Sequence, residues 1–157
     1  MTRSGIGWDS HPLVEGRPLV LGGVRVPDAA RGLAGYSDAD VLTHAVIDAL
    51  LGAAGLGDIG QHFPETDERW KDADSLSLLR AVIALLGSEN LSPINVDATV
   101  VCEAPRLAPF RDEMRARLAD AADLPSESVN VKFTTAERMG FVGRGEGMAA
   151  LAIATVE

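Results

Sequence analysis

Ser37-Asp38-Ala39-Asp40-Val41-Leu42-Thr43-His44-Ala45-Val46-Ile47-Asp48-Ala49-Leu50-Leu51-Gly52-Ala53-Ala54-Gly55 reads as one helix. Its start falls near Asp38 or Ala39, with Ser37 and Asp38 as N-cap candidates, and Gly55 is the stop signal. Val41, Leu42, Ala45, Val46, Ala49 and Leu50 recur at helical spacing and give the helix an apolar face. Asp40, His44 and Asp48 stand four residues apart and share a second stripe. Upstream, residues 2–10 read as a strand. Two apolar stretches, 18–21 and 24–27, flank Gly22-Gly23, a hairpin signature because Gly supplies the positive φ of tight turns. Downstream, residues 57–73 are rich in Gly, Pro and charge and read as a long loop. A second helix follows over about 74–86, capped by Asp74 or Ser75. A strand spans 96–103. Phe110, Met114, Leu118 and Ala121 mark a third helix, and 129–134 and 148–156 complete the strands. Strands and helices alternate without strict βαβ regularity, so the fold class expected is α+β, a sheet with helices packed on one face.

The length of 157 residues suits a single domain spanning 1–157. Hydrophobic residues make up 46% of the chain and aromatic residues 4%, so a core can form and must be mainly Ala, Leu, Val and Ile. A small aliphatic core often gains stability by burying more surface between subunits. The formal net charge of −9 argues against nucleic acid or an anionic membrane as partner, since both need a positive field. Bound phosphates would then be met locally, by metal ions, backbone N–H groups and a few Arg or Lys side chains. The single cysteine, Cys102, excludes an internal disulfide and suits a reducing compartment. Residues 1–8 lack the apolar segment of a signal peptide, and no apolar run is long enough to span a bilayer, so a cytoplasmic location is expected.

Four clusters carry candidate chemistry. In Asp9-Ser10-His11, residues two apart on a strand point to the same side, so Asp9 and His11 can hold one ion, with His44 of the helix as a third donor. Two His and one carboxylate with a position left open is a ligand set of catalytic zinc. Asp40 or Asp48 can accept the outer ring N–H of a ligating His. Taken alone, however, these residues read more readily as a chance triplet and a solvated helix face. His62, in the long loop, reads as a surface residue. The second cluster is Gly57-Asp58-Ile59-Gly60 with Phe63-Pro64-Glu65-Thr66-Asp67, whose small residues admit a ligand and whose carboxylates suit polyol hydroxyls. The third, Cys102-Glu103-Ala104-Pro105-Arg106-Leu107-Ala108, joins a strand to a helix, with backbone groups for a base edge and Arg106 for a phosphate. The fourth is Thr134-Thr135-Ala136-Glu137, then Phe141 and Gly143-Arg144-Gly145-Glu146-Gly147. Its hydroxyls and N–H groups suit phosphate oxygens, and Glu137 suits a hard cation. The glycines around Arg144 do not match the P-loop pattern.

In this order the clusters resemble the 2-C-methyl-D-erythritol 2,4-cyclodiphosphate synthase family of the non-mevalonate isoprenoid pathway. The most specific stretches are Gly5-Ile6-Gly7-Trp8-Asp9-Ser10-His11, Ser37-Asp38-Ala39-Asp40-Val41 through His44, Asp48-Ala49-Leu50-Leu51-Gly52-Ala53-Ala54, Gly57-Asp58-Ile59-Gly60 and Gly140-Phe141-Val142-Gly143-Arg144-Gly145-Glu146-Gly147. The resemblance implies conversion of 4-diphosphocytidyl-2-C-methyl-D-erythritol 2-phosphate to the cyclic diphosphate and CMP. It implies zinc on Asp9, His11 and His44, and magnesium or manganese on Glu137 with the substrate diphosphate. Thr135 would stabilise the transition state. Ser37, Asp58, Ile59 and Gly60 would contact substrate, with Phe63, Pro64, Glu65, Thr66 and Asp67 as a flexible cover. Cys102 to Ala108 and Thr134 to Glu137 would hold the cytidine and its phosphates, and Phe141 and Arg144 would complete the set. It also implies a mixed sheet, with sheets meeting around a threefold axis in a homotrimer and active sites between subunits. One departure stands out: the family's pattern has a His before the Ser-Asp pair, in a transition-state role, where this chain has Tyr36. Tyr offers a hydroxyl but no cation at neutral pH. Two other readings compete: a zinc-dependent nucleotide or phosphodiester hydrolase, in which water attacks, and a non-enzymatic nucleotide- or isoprenoid-binding module.

Overall fold

The central helix forms as α1, Val41–Ala54, in a computed structural model that describes residues 1–157. Its N-cap is Asp40 rather than Ser37 or Asp38, and the Asp40 carboxylate accepts the Thr43 N–H at 3.0 Å. The same carboxylate accepts the N–H groups of Gly22 (2.9 Å) and Gly23 (2.7 Å) and the Thr43 hydroxyl (2.7 Å). A turn 17 to 18 residues upstream therefore decides which acid caps the helix. Gly55 at φ 74° ends it, with Leu56 N–H returning to the Leu51 carbonyl. The helix is buried almost all round, so its polar stripe is not a solvated face, as a one-sided reading implied.

The strands are β1 (Arg3–Val14), the hairpin β2 (Leu19–Leu21) and β3 (Val24–Val26), β4 (Gly32–Leu33), β5 (Pro93–Val101), β6 (Val129–Thr134) and β7 (Gly147–Val156). The remaining helices are α2 (Ile59–His62), α3 (Ser75–Ser88, capped by Asp74), α4 (Arg111–Ala121) and α5 (Gly140–Gly143). The main sheet runs β4-β1-β7-β5-β6 and is mixed: β1 and β5 lie antiparallel to β7, and β6 parallel to β5. The fold is α+β. β1 runs four residues past its expected end, because Leu13 and Val14 pair with the unforeseen β4. The stretch 57–73 is not one loop. It holds α2 and a short 3-10 turn, Glu68–Trp70, too brief to show a period in sequence.

Small residues bring α1 onto the sheet. β7 offers Ala150, Ala152 and Ala154 to the core, and β1 offers Gly5 and Gly7. A Cβ at Gly7 would lie 1.9 Å from the Ala45 carbonyl, and one at Gly5 2.2 Å from the Ala49 carbonyl. Only Gly permits that approach. On the opposite face of the same strands, Ile6, Trp8, Leu151 and Ile153 are exposed, with Ile6 opposite Ile153 and Trp8 opposite Leu151. No helix is long and apolar enough to cross a membrane.

Candidate active site

Alternation along β1 turns Asp9 and His11 toward α1, and the close packing at Gly5 and Gly7 carries His44 to meet them. Three donor atoms converge. Asp9 Oδ2 lies 2.8 Å from His11 Nε2 and 3.0 Å from His44 Nδ1, and the two ring nitrogens are 3.3 Å apart. Donors on a tetrahedral zinc with bonds of about 2.0–2.1 Å stand roughly 3.3 Å apart, so the triad matches the size of that ion. The outer nitrogens are also engaged: His11 Nδ1 with the Ala34 carbonyl at 2.8 Å, and His44 Nε2 with Ser75 Oγ at 2.8 Å and Ser37 Oγ at 3.2 Å. A carbonyl only accepts, so His11 spends its N–H there and turns a lone pair inward. The chemistry of the donor set therefore fits a cation.

Electrostatics agree. Burial alone would raise the Asp9 carboxyl, but His11 and His44 in their charged form carry hydrogen on both ring nitrogens, and their hydrogen bonds and charge outweigh burial and hold Asp9 down to about 2. For His11, burial works against the charged form, yet the Asp9 carboxylate beside it moves the imidazole upward.

The expected partners of the two histidines need correction. Asp40 touches neither ring, and its carboxylate is consumed in capping α1. Asp48 accepts the Ile59 N–H at 2.8 Å and so fastens the start of α2 to α1. Ser75, Ser37 and the Ala34 carbonyl take the role instead. In the sequence Ser75 stands out only as a candidate cap of α3, a role that Asp74 takes.

The triad opens into a cleft of about 150 Å³, lined also by Tyr36, Ser37, Ile59, Gly60, Phe63, Glu65, Trp70 and Leu78. Trp70 was not foreseen. Its ring meets Phe63 edge-on at 5.0 Å, and its buried Nε1–H has no acceptor. The Tyr36 hydroxyl donates to the Asp67 carbonyl at 3.4 Å, across the mouth of the cleft. Asp58 caps α2, and the Asp67 carboxylate caps the 3-10 turn and pairs with Arg69. Pro64 and Thr66 lie outside the lining. His62 is half-buried rather than on the surface, with Nε2 against the Leu56 carbonyl at 2.8 Å.

A second cluster forms where β5 and β6 end side by side. Cys102 N–H bonds the Thr134 carbonyl at 3.0 Å, which brings the stretch from Cys102 to Ala108 beside Thr134, Thr135, Ala136 and Glu137. The side chains of Cys102 and Leu107 are in the core, so these two residues offer a ligand only backbone. Burial and neighbouring Glu103 push the Cys102 thiol up to about 11. Glu137 and Arg138 both adopt positive φ, 52° and 62°, a costly pair for residues with side chains. The Glu103 carboxylate holds that turn by accepting the N–H groups of Ala136 (2.9 Å) and Arg138 (3.4 Å). Glu137 is exposed and accepts the Thr135 hydroxyl at 3.2 Å. Ala104, Pro105, Arg106 and Ala108 complete the strand-to-helix connection.

The two clusters are separate within one chain. Asp9, Ala150, Val100 and Phe133 stand in one row across β1, β7, β5 and β6. Three strand spacings of about 4.8 Å put their backbones roughly 14 Å apart. Phe141 sits apart from both, beside Ser10, Pro12 and Glu146 in a depression that shares only His11 with the cleft. Arg144 is exposed and paired with Glu146 at 2.7 Å.

The sequence profile of the YgbB family matches residues 2–157. The chain belongs to the YgbB family. Among its YgbB relatives, the 2-C-methyl-D-erythritol 2,4-cyclodiphosphate synthase of Methylobacillus flagellatus is 58% identical over 157 residues, covering 100% of this chain and 98% of the relative. The synthase of Salinibacter ruber is 60% identical over 155 residues, covering 99% and 98%. A solved 2C-methyl-D-erythritol-2,4-cyclodiphosphate synthase in a CDP-bound form superposes with a TM-score of 0.90 at 35% identity, covering 99% of this chain and 100% of that one. The bifunctional IspDF of Campylobacter jejuni gives a TM-score of 0.94 at 42% identity, and this YgbB chain spans 42% of that longer protein.

Proposed function

We propose that this YgbB-family enzyme closes 4-diphosphocytidyl-2-C-methyl-D-erythritol 2-phosphate into 2-C-methyl-D-erythritol 2,4-cyclodiphosphate. A 2-phosphate oxygen forms a bond to the β-phosphorus. The bond from that phosphorus to the bridging oxygen breaks, and CMP leaves with the electron pair. The observation that carries the reading is the convergence of Asp9, His11 and His44 on a cleft walled by Ser37, Gly60 and Glu65, in a chain closely related to named synthases.

Asp9 Oδ2, His11 Nε2 and His44 Nδ1 would hold zinc, and Glu137 would hold magnesium or manganese. Such cations would supply neutralisation of phosphate charge. The protein's own share is positioning, since both reacting groups belong to one molecule and alignment removes much of the barrier. Asp58, Ile59 and Gly60 receive the erythritol, and the segment from Phe63 to Asp67 covers it. Backbone groups from Cys102 to Ala108 hold the cytosine, and Thr134 and Ala136 hold the phosphates. Thr135 Oγ1 donates toward the developing charge. Tyr36 fastens the cover through Asp67, and Phe141 and Arg144 complete the set.

Residues 1–157 act as one domain in a cytoplasmic homotrimer. The exposed row of Ile6, Trp8, Leu151 and Ile153 supports packing of sheet faces about a threefold axis. The separation of the two clusters supports a site shared between neighbours, one supplying the zinc triad and the next the nucleotide turn.

Phosphorus NMR of the chain with substrate, zinc and magnesium tests the reading. A cyclic diphosphate appearing with CMP, and lost on chelation, is the expected result. A linear product would replace cyclisation with hydrolysis, and intact substrate beside zinc-loaded protein would remove the enzymatic reading.

A further inference from the structure

The geometry points to Asp38 and Ser75 as a hydrogen-bond relay that fixes the tautomer of His44 and so presents its Nδ1 to the metal. They are positioning residues and touch no reacting atom. The inference rests on the reading of the triad as a zinc site.

The argument follows the protons. Ser75 Oγ carries one hydrogen and is in hydrogen-bond contact with Asp38 Oδ1. The Asp38 carboxylate is an acceptor only, so the Ser75 hydrogen goes to Asp38. Ser75 Oγ then has lone pairs left for its other neighbour, His44 Nε2, at 2.8 Å. Two acceptors compete for the one N–H of a neutral imidazole, Ser75 Oγ at Nε2 and the Asp9 carboxylate 3.0 Å from Nδ1. The relay places it on Nε2, because Asp9 is partly exposed and water can serve its carboxylate, whereas Ser75 Oγ is fully buried and has no other donor. Nδ1 is then left as a lone pair, 3.3 Å from His11 Nε2. Without the carboxylate behind it, the Ser75 hydroxyl could turn and donate to Nε2. That would place the hydrogen on Nδ1, where a metal has to bind.

The relay is built into the fold. Ser75 is fully buried, so bulk water does not substitute for its hydroxyl. Asp38 is held by two backbone donors, Asp40 N–H at 3.1 Å and Ser75 N–H at 2.9 Å. Ser37 Oγ lies farther from Nε2, at 3.2 Å, and already accepts the Ala39 N–H, also at 3.2 Å. His11 obtains the same polarity from the Ala34 carbonyl, a backbone group that mutation cannot remove. His44 alone depends on side chains, one at the first turn of α3 and one in the segment before α1.

Two measurements test the relay. In the metal-free chain at about pH 9, above the imidazole range, nitrogen-15 NMR of the histidine rings should show hydrogen on Nε2 of His44. Hydrogen on Nδ1 would overturn the proposal whatever any variant does. In chelator competition with zinc as the probe, Ser75→Ala and Asp38→Asn should each weaken binding roughly ten- to a hundredfold, the usual effect of losing a partner behind a ligating histidine. Ser75→Thr should restore it, and the double variant should be no worse than the weaker single one. Zinc affinity within about twofold of the unaltered chain in Ser75→Ala, or full additivity of the two changes, would sink the relay. Neither readout depends on turnover, so a chain that behaves this way yet makes no cyclic product would refute the reaction and leave the relay standing.

Discussion

Gly7→Ala puts the placement of His44 to a direct test. The added Cβ would lie 1.9 Å from the Ala45 carbonyl oxygen and 2.7 Å from the Ala49 amide nitrogen. Both are backbone atoms, so no rotamer change relieves the clash. Ordinary contact begins at 3.4 Å, so α1 must retreat by about 1.5 Å. His44 adjoins Ala45 and retreats with it. Zinc sites tolerate donor displacements of only about 0.2 Å. A displacement several times that size should cost zinc affinity on the order of a hundredfold, the upper end of what disturbing a ligating histidine costs. Overpacking should also lower the stability of the metal-free chain by roughly 1–3 kcal/mol. Chelator competition reads the first effect and urea unfolding the second. Gly52→Ala on the same helix is the control, because its nearest atom outside the helix is the Ile6 carbonyl oxygen at 3.8 Å. It should keep zinc affinity and add about 0.5–1 kcal/mol by removing a helical Gly. A Gly7→Ala chain that binds zinc as tightly as the unaltered one would refute the claim that close approach of α1 to β1 sets the triad.

Three further outcomes follow from the geometry. Tyr36→Phe removes a single long hydrogen bond to the cover, so KM should rise by a factor of roughly two to ten with kcat nearly unchanged; a large fall in kcat at constant KM would instead place the hydroxyl at the reacting phosphates. Asp40→Ala strands the buried donors of Gly22 and Thr43 and the part-buried donor of Gly23, and should cost about 3 kcal/mol in urea unfolding; an unmoved midpoint would mean these bonds contribute nothing net. In the metal-free chain, the Asp9 pKa is depressed by its histidine partners, so its stabilisation is present above the unfolded value of about 3.9 and is lost as pH falls toward 2. The loss should be about 2 kcal/mol and absent in Asp9→Asn, and equal acid sensitivity of the two chains would contradict it.

How much could be read in advance depended on distance along the chain. The apolar period and Gly55 revealed α1 because both are local, and the Asp9-Ser10-His11 spacing revealed two donors for the same reason. The capping role of Asp40 was hidden, since Asp38 and Asp40 are equivalent until the hairpin turn at Gly22-Gly23 brings its N–H groups to one of them. The partner of His44 was hidden too, because Ser75 lies 31 residues away on another helix. The Ala34 carbonyl that orients His11 has no side-chain signature at all. The last four residues of β1 carry no local strand signal, because their partners are distant: Met148 and Gly147 on β7 pair with His11 and Pro12, and β4 pairs with Leu13 and Val14.

The alternation of β1 gives one strand two obligations. Gly5, Gly7, Asp9 and His11 face the helix, while Ile6 and Trp8 face away from it. Inserting or deleting a single residue early in this strand would exchange the two sets at once, turning indole toward α1 and stranding a metal donor on the opposite face. Length changes here are therefore far less tolerable than substitutions. Viable descendants of this chain should vary in length in the turns around Glu15–Gly16 or Asn90, and hardly ever between residues 3 and 12.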